Sequence, residues 1–336
     1  MIAFPVIGAE VHPTLKGERP MLARVADSVY WMSRYVERAE HIARMLVVSG
    51  NLLADAGDLA PELRDELWLS VLRVVRVPDA PVEDGPIARR VLRQLAFDQS
   101  NPSSIFSCIT RARENARAVR EIISAEMWEQ LNTLYWYIRI EDAERKYEQQ
   151  SDDFLRAIMN GSMLFQGLAE QTLPHDQRWL FTTLGKHLER ADITSRILET
   201  RHALLGRITG SLEASVRTIH WMAVLRMCCS LEAYRRQFVA DFDGDKVCAF
   251  VTLEQQHPRA IRYSLDRALE SIASIRALLH PHAFDPAERV LGRLQATLEY
   301  ADPAELFAPS FGGYMQQIQQ AIGDTAIAVQ QTYFLQ

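Results

Sequence analysis

Chain breakers are scarce. The sequence has 15 glycines and 14 prolines in 336 residues, below their usual combined share of about 12%. An all-β fold, with its many turns, would need more. The four cysteines at 108, 228, 229 and 248 form no Cys-x-x-Cys pair and have no His at zinc spacing, which excludes a disulfide framework or a zinc ribbon as the basis of the fold. No run of about 18 apolar residues occurs, so no membrane span is predicted. The opening Met-Ile-Ala-Phe-Pro-Val-Ile-Gly lacks the basic and apolar regions of a secretory signal, and the cytoplasm is the expected compartment. Positive charge is not in surplus either. With 37 Lys+Arg against 43 Asp+Glu, the net charge is −6, which argues against a dedicated nucleic-acid binder. A Gly-rich phosphate loop, a Gly-x-Ser-x-Gly elbow and a His-Glu-x-x-His pair are also absent.

What is present is helical periodicity. Apolar residues make up 48% of the chain, and a chain of this length buries enough surface to fold without a staple or a metal. Residues 1–20 contain three prolines and no helical period; they read as an irregular leader, with Met21 as an alternative start, before a single domain over 21–336. Asp27 or Ser28 can cap a helix whose residues Val29, Met32, Val36, Ala39, Ala43, Leu46 and Val47 recur every three or four positions. That helix is predicted over 27–49. Similar stretches follow at 61–77, 86–97, 103–123, 125–146, 152–171, 176–205, 211–241, 260–280, 286–301 and 310–334. The Val-rich runs at 71–77 and 247–252 could be strands, but neither has a hairpin partner. The expectation is one all-α, compact multi-helix bundle.

An internal repeat lies inside it. Glu37-Arg38-Ala39-Glu40-His41-Ile42-Ala43-Arg44-Met45-Leu46 aligns without a gap on Glu189-Arg190-Ala191-Asp192-Ile193-Thr194-Ser195-Arg196-Ile197-Leu198, with five of ten positions identical and a sixth a carboxylate swap. Two helices with one job are implied, as a duplicated half or a pseudo-symmetric pair. On a helix, Arg34, Glu37, His41 and Arg44 share one stripe, bordered by Arg38 and Glu40. The remaining circumference is apolar, so the stripe should be buried, and buried charges must pair. Glu37 with Arg196 and Glu189 with Arg44 are the predicted cross-pairs. Such a network either fixes the register of a central helix pair or lines a polar ligand cavity between helices.

Glu126, Glu129 and Asn132 approach one helical face beside Trp128, a second candidate wall for the same cavity. Carboxylate-bridged metal bundles need Glu-x-x-His on two helices, and only Glu37 with His41 comes near at the wrong spacing, so no metal is expected. Cys228 and Cys229 read as core filling without an activating base. Arg259, in His257-Pro258-Arg259, caps carbonyls or reaches the polar cavity.

Three long motifs carry a family resemblance. The run from Met21 to Glu40, Ala112-Arg-Glu-Asn-Ala-Arg117 with Ser124 to Asn132, and Leu184-Gly-Lys-His-Leu-Glu-Arg-Ala-Asp192 resemble the bacterial alpha-E domain family, also called DUF403, from about Met21 to the C-terminus. The resemblance implies a compact all-helical domain encoded beside, or fused to, a circularly permuted ATP-grasp protein and near transglutaminase-like peptidases. Those are its implied partners; no cofactor is implied. On the matching positions, Arg34, Glu37, Arg38, Glu40, Arg44, Arg113, Asn115, Arg117, Glu126, Trp128, Glu129, Asn132, Glu189, Arg190, Asp192, Arg196 and Arg259 are the ligand-binding candidates. Glu114 and Pro258 also match. Lys186-His187 and His257-Pro-Arg-Ala260 depart from the family's Arg-aromatic pair and Phe-Pro-Arg-Ser. The functional expectation is a component of an ATP-grasp-associated system that forms or modifies peptide or amide bonds. It would bind an acidic or peptide-like ligand between helices; the alternative is a non-enzymatic scaffold that docks the ligase or peptidase.

Overall fold

The computed structural model describes residues 21–56, 61–78, 86–139, 151–208, 214–239, 241–279 and 284–335; the expected leader at 1–20 and the end of the helix expected to reach 146 lie outside them. The described residues form thirteen α-helices and no strand. In chain order they are α1 (Ala23–Ala56), α2 (Pro61–Val74), α3 (Ile87–Ala96), α4 (Ile105–Ala118), α5 (Ala125–Ile138), α6 (Ser151–Thr172), α7 (Gln177–Ile208), α8 (Ala214–Met227), α9 (Leu231–Phe238), α10 (Gly244–Leu253), α11 (Ile261–Leu279), α12 (Pro286–Glu299) and α13 (Phe311–Val329).

Local chemistry sets several boundaries. Ser104 and Ser124 accept from the backbone N–H of Ser107 and Met127 and so start α4 and α5, while Asp243 and Asp285 cap α10 and α12 through the first-turn amides. Two expectations need correcting. Ser28 does not cap α1: its hydroxyl donates to the Arg24 carbonyl at 2.8 Å, inside a helix that has already begun. The helix expected over 211–241 is two, α8 and α9, because Cys229 takes a left-handed φ of 51° and the Ser230 N–H turns back to the Leu225 carbonyl. The Val-rich run at 247–252 belongs to α10, with Val247, Cys248, Phe250, Val251 and Thr252 buried.

Two long helices, α1 and α7, form the centre and run parallel. The Met21 N–H donates to Gln177 Oε1 at 3.0 Å at one end, and Arg201 donates to Ser49 Oγ at 3.1 Å far along both helices. They touch closely at Gly185, where a Cβ would stand 2.4 Å from the Tyr30 carbonyl oxygen; only glycine permits that approach. Around each central helix the same neighbours recur. Helix α1 packs on α4 and α6, which α5 joins, and α7 packs on α11 and α13, which α12 joins. The pseudo-repeat read from ten residues therefore extends over four helices in each half. Both α4 and α11 follow an Xaa-Pro turn, Asn101-Pro102-Ser103-Ser104 and His257-Pro258-Arg259-Ala260. A terminal π-helical turn, Gln330–Phe334, lays Phe334 against Tyr30 and Phe181, with ring centroids 5.4 and 5.8 Å apart, over the start of the central pair.

Candidate functional site

Because α1 and α7 are parallel and the repeat is offset by 152 positions, equivalent residues lie at the same level. The two Glu-Arg dipeptides exchange partners across the seam. Arg190 Nε donates to Glu37 Oε1 at 2.6 Å and its Nη2 to Oε2 at 3.1 Å. In the mirrored pair, Arg38 Nε donates to Glu189 Oε1 at 2.5 Å and its Nη2 to Oε2 at 3.0 Å. Each fork is bidentate, the geometry in which guanidinium binds carboxylate best. The expected cross-pairs Glu37–Arg196 and Glu189–Arg44 do not form. Arg44 and Arg196 stand seven residues further on, about 10 Å along the axis, and turn back to their own helices, onto Glu40 and Asp192. These local pairs obey the same pseudo-symmetry.

A third arginine joins each side. Arg34 donates to Glu189 Oε2 at 2.8 Å and to the Tyr30 hydroxyl at 2.9 Å. Arg259, from the turn before α11, donates through Nη1 to Glu40 at 2.9 Å and to Glu37 at 3.3 Å; it joins the network rather than capping carbonyls. Gln166 of α6 completes the Glu37 side by donating to Glu37 and accepting from Arg190. Glu37 and Glu40 are fully buried and Glu189 is 1% exposed.

The electrostatics follow. Burial works to raise all three glutamates, yet Arg190 and Arg259 hold Glu37 down to about 2, and Arg38 and Arg34 do the same for Glu189; Glu40 is also lowered against its burial, by Arg259 and Arg44. These groups are fixed anions at neutral pH. Burial lowers His41 to about 4, so the imidazole is neutral. Asp192 behaves differently: burial raises it, and Arg196 offsets this only in part. Glu37, Glu40 and His41 offer ligand atoms within 4.8 Å of one another, the spacing of a metal site. Their carboxylate oxygens already accept from Arg190, Arg259 and Arg44, so guanidinium groups supply the positive charge that this trio needs.

The other candidates lie elsewhere. Glu126 and Glu129 are exposed on α5 and do not share a cavity with the buried Glu37 and Glu189. On the α4–α5 face, Arg113 donates to Asn132 Oδ1 at 2.8 Å and stacks on Tyr135 and Trp128, 4.3 and 5.4 Å from the ring centroids. Among the described residues Arg117 reaches only Glu114, at 3.7 Å, on the exposed side of α4, where Asn115 is half-buried. Burial pushes the Cys108 and Cys228 thiols up to about 12, leaving them inert. A groove of about 770 Å³ opens between α11 and α12, lined in part by Leu269, Arg276, Glu288 and Gly292, away from the seam. The sequence reading missed Gln166 and Tyr30 as members of the seam's surroundings, and met Lys186 only as the counterpart of Arg34 in the repeat.

A helical bundle held by paired Glu-Arg dipeptides defines the class. The chain belongs to the Alpha-E family, described as a predicted alpha-helical domain with a conserved ER motif, whose model matches residues 21–334. Among similar proteins are uncharacterized proteins of Mycobacterium bovis and Mycobacterium tuberculosis, each 23% identical over 320 residues that cover 89% of this chain and 35% of the relative. The chain thus spans about a third of the length of the curated relatives it matches. No solved structure matches it. No helix among the described residues is long and apolar enough to cross a membrane.

Proposed function

We propose that this chain is the helical component of a cytoplasmic, ATP-grasp-associated system that forms or modifies peptide or amide bonds. In this reading it is a scaffold that docks the ligase or peptidase, with the Glu-Arg seam as its spine. The observation that supports a scaffold over a catalyst is the saturation of the seam. Every buried glutamate in it is forked or bridged by arginine, and Glu37 and Glu189 are held near 2. Such a carboxylate has no proton to give at neutral pH and is a poor base. The relatives agree with a modular role, since the matching region is 35% of a longer protein.

The reading in which the seam binds an acidic or peptide-like ligand is favoured by one observation, an excess of cations at the Glu37 end. Reconstitution tests the scaffold directly. The purified chain should form a complex with a circularly permuted ATP-grasp protein from the same host, and the pair should yield a product that the ligase alone does not. Absence of a complex, together with unchanged ligase output, would reject the role.

A further inference from the structure

The two halves differ at one place in the seam. Arg34 and Lys186 are equivalent, 152 positions apart. Arg34 is saturated by Glu189 and the Tyr30 hydroxyl. Lys186 would face Glu37 by the same symmetry, but Glu37 is already taken by Arg190, Arg259 and Gln166, and Thr182 stands where a second Tyr30 would be. Lys186 forms no hydrogen bond or ion pair with a described residue. The competitor, Arg259, has Ser103 as its counterpart in the turn before α4, so this cation belongs to one half only.

The result is a local imbalance of charge. Arg44, Lys186, Arg190 and Arg259 surround two buried carboxylates, Glu37 and Glu40. The next acid, Glu170, is half out in solvent and accepts instead from Trp179 Nε1 at 3.1 Å, with His175 at 3.9 Å. Arg259 is 8% exposed and spends only Nη1 on the network; its Nε and Nη2 donate to no described residue. Lys186 is half-buried and ion-pairs with no described residue, and an anion that accepts from it and from the spare donors of Arg259 would be held by charge-assisted hydrogen bonds. Burial and the neighbouring Arg190 lower Lys186 more than Glu37 and Glu170 raise it, the direction an arriving anion would reverse.

We propose that the Glu37 end of the seam binds a small doubly charged anion, a phosphate or dicarboxylate group, with Lys186 and the unused donors of Arg259 as its principal contacts and Arg44 and Arg190 completing the field. The site does not depend on the docking role, because the spine stands whether or not the anion is bound. Thermal melts of the full chain in inorganic phosphate, malonate or chloride at matched ionic strength, with calorimetric titration, test it. The wild type should gain saturable stability from phosphate, malonate or both, and the tighter of the two identifies the tetrahedral or planar group. Lys186→Gln removes a cation that makes no hydrogen bond or ion pair with a described residue, so it should fold and melt at or above the wild type in chloride. Its anion affinity should fall at least about tenfold. No saturable response in the wild type, or an undiminished response in Lys186→Gln, would overturn the proposal.

Discussion

Replacing Arg190 by Met should be among the most damaging single changes on α7. The substitution removes a bidentate fork onto a fully buried carboxylate, a 3.1 Å bond to the Pro258 carbonyl and the contact with Gln166. Deleting one partner of a buried ion pair costs about 3–5 kcal/mol, because the other charge is stranded. Arg259, 3.3 Å from Glu37, still neutralises it in part, so about 3 kcal/mol is expected. Arg196→Met offers the control. Its pair with Asp192 is local to one helix turn and Arg196 is 18% exposed, and Asp192, already raised by burial, can neutralise itself by taking a proton. About 1 kcal/mol is expected there. Urea unfolding followed by circular dichroism at pH 7 measures both, and a Glu37→Gln/Arg190→Met double-mutant cycle should return a coupling above about 1 kcal/mol. If Arg190→Met lies within about 0.5 kcal/mol of the wild type, or costs no more than Arg196→Met, the crossed-pair reasoning is wrong.

Three other outcomes are expected. Gly185→Ala drives a methyl group into the Tyr30 carbonyl at 2.4 Å, so α1 and α7 must separate; a loss of about 1–3 kcal/mol or more should appear in the same urea assay, and a neutral result would contradict the close crossing. Acid should destabilise in two stages in a pH series of melts. Burial holds His41 and His220 near 4, below the usual 6.5, so the unfolded chain binds more protons and stability falls as pH drops from about 6.5 towards 4. Glu37 and Glu189, held near 2, add stability that is complete above their unfolded value of about 4.5 and is lost between there and pH 2; a flat profile from pH 7 to 3 would exclude both. In native alkylation, the exposed Cys229 should react well before the buried Cys108, Cys228 and Cys248, and equal rates would show that the core is open.

Much of the fold was legible because helical period and cap chemistry are local properties. The Glu-Arg-Ala repeat also announced that two helices share a role. Three things were hidden. The break at Cys228-Cys229-Ser230 contains neither Gly nor Pro, so nothing in composition marks the left-handed residue that ends α8. Partner choice across the seam depends on whether α1 and α7 run parallel, and neither helix alone encodes that; with parallel packing, Glu37 meets Arg190 at its own level and Arg196 falls out of reach. The wider duplication is nearly erased from the sequence, since Asn101-Pro-Ser-Ser-Ile105 and His257-Pro-Arg-Ala-Ile261 keep only Pro and Ile in common. Arg259 was therefore recognisable as a seam member only from its place in space. Glu126 and Glu129 misled because helical spacing places residues on a face without saying which way that face looks.

The claim that the seam glutamates hold structure rather than perform chemistry is tested most directly by removing their charge and keeping their shape. Glu37→Gln and Glu189→Gln, assayed below their melting temperatures in a reconstituted pair with the proposed ATP-grasp partner, should be less stable than the wild type yet give its product yield per folded molecule. A variant that stays folded and docks normally but makes no product would contradict the claim and assign the carboxylates to the reaction.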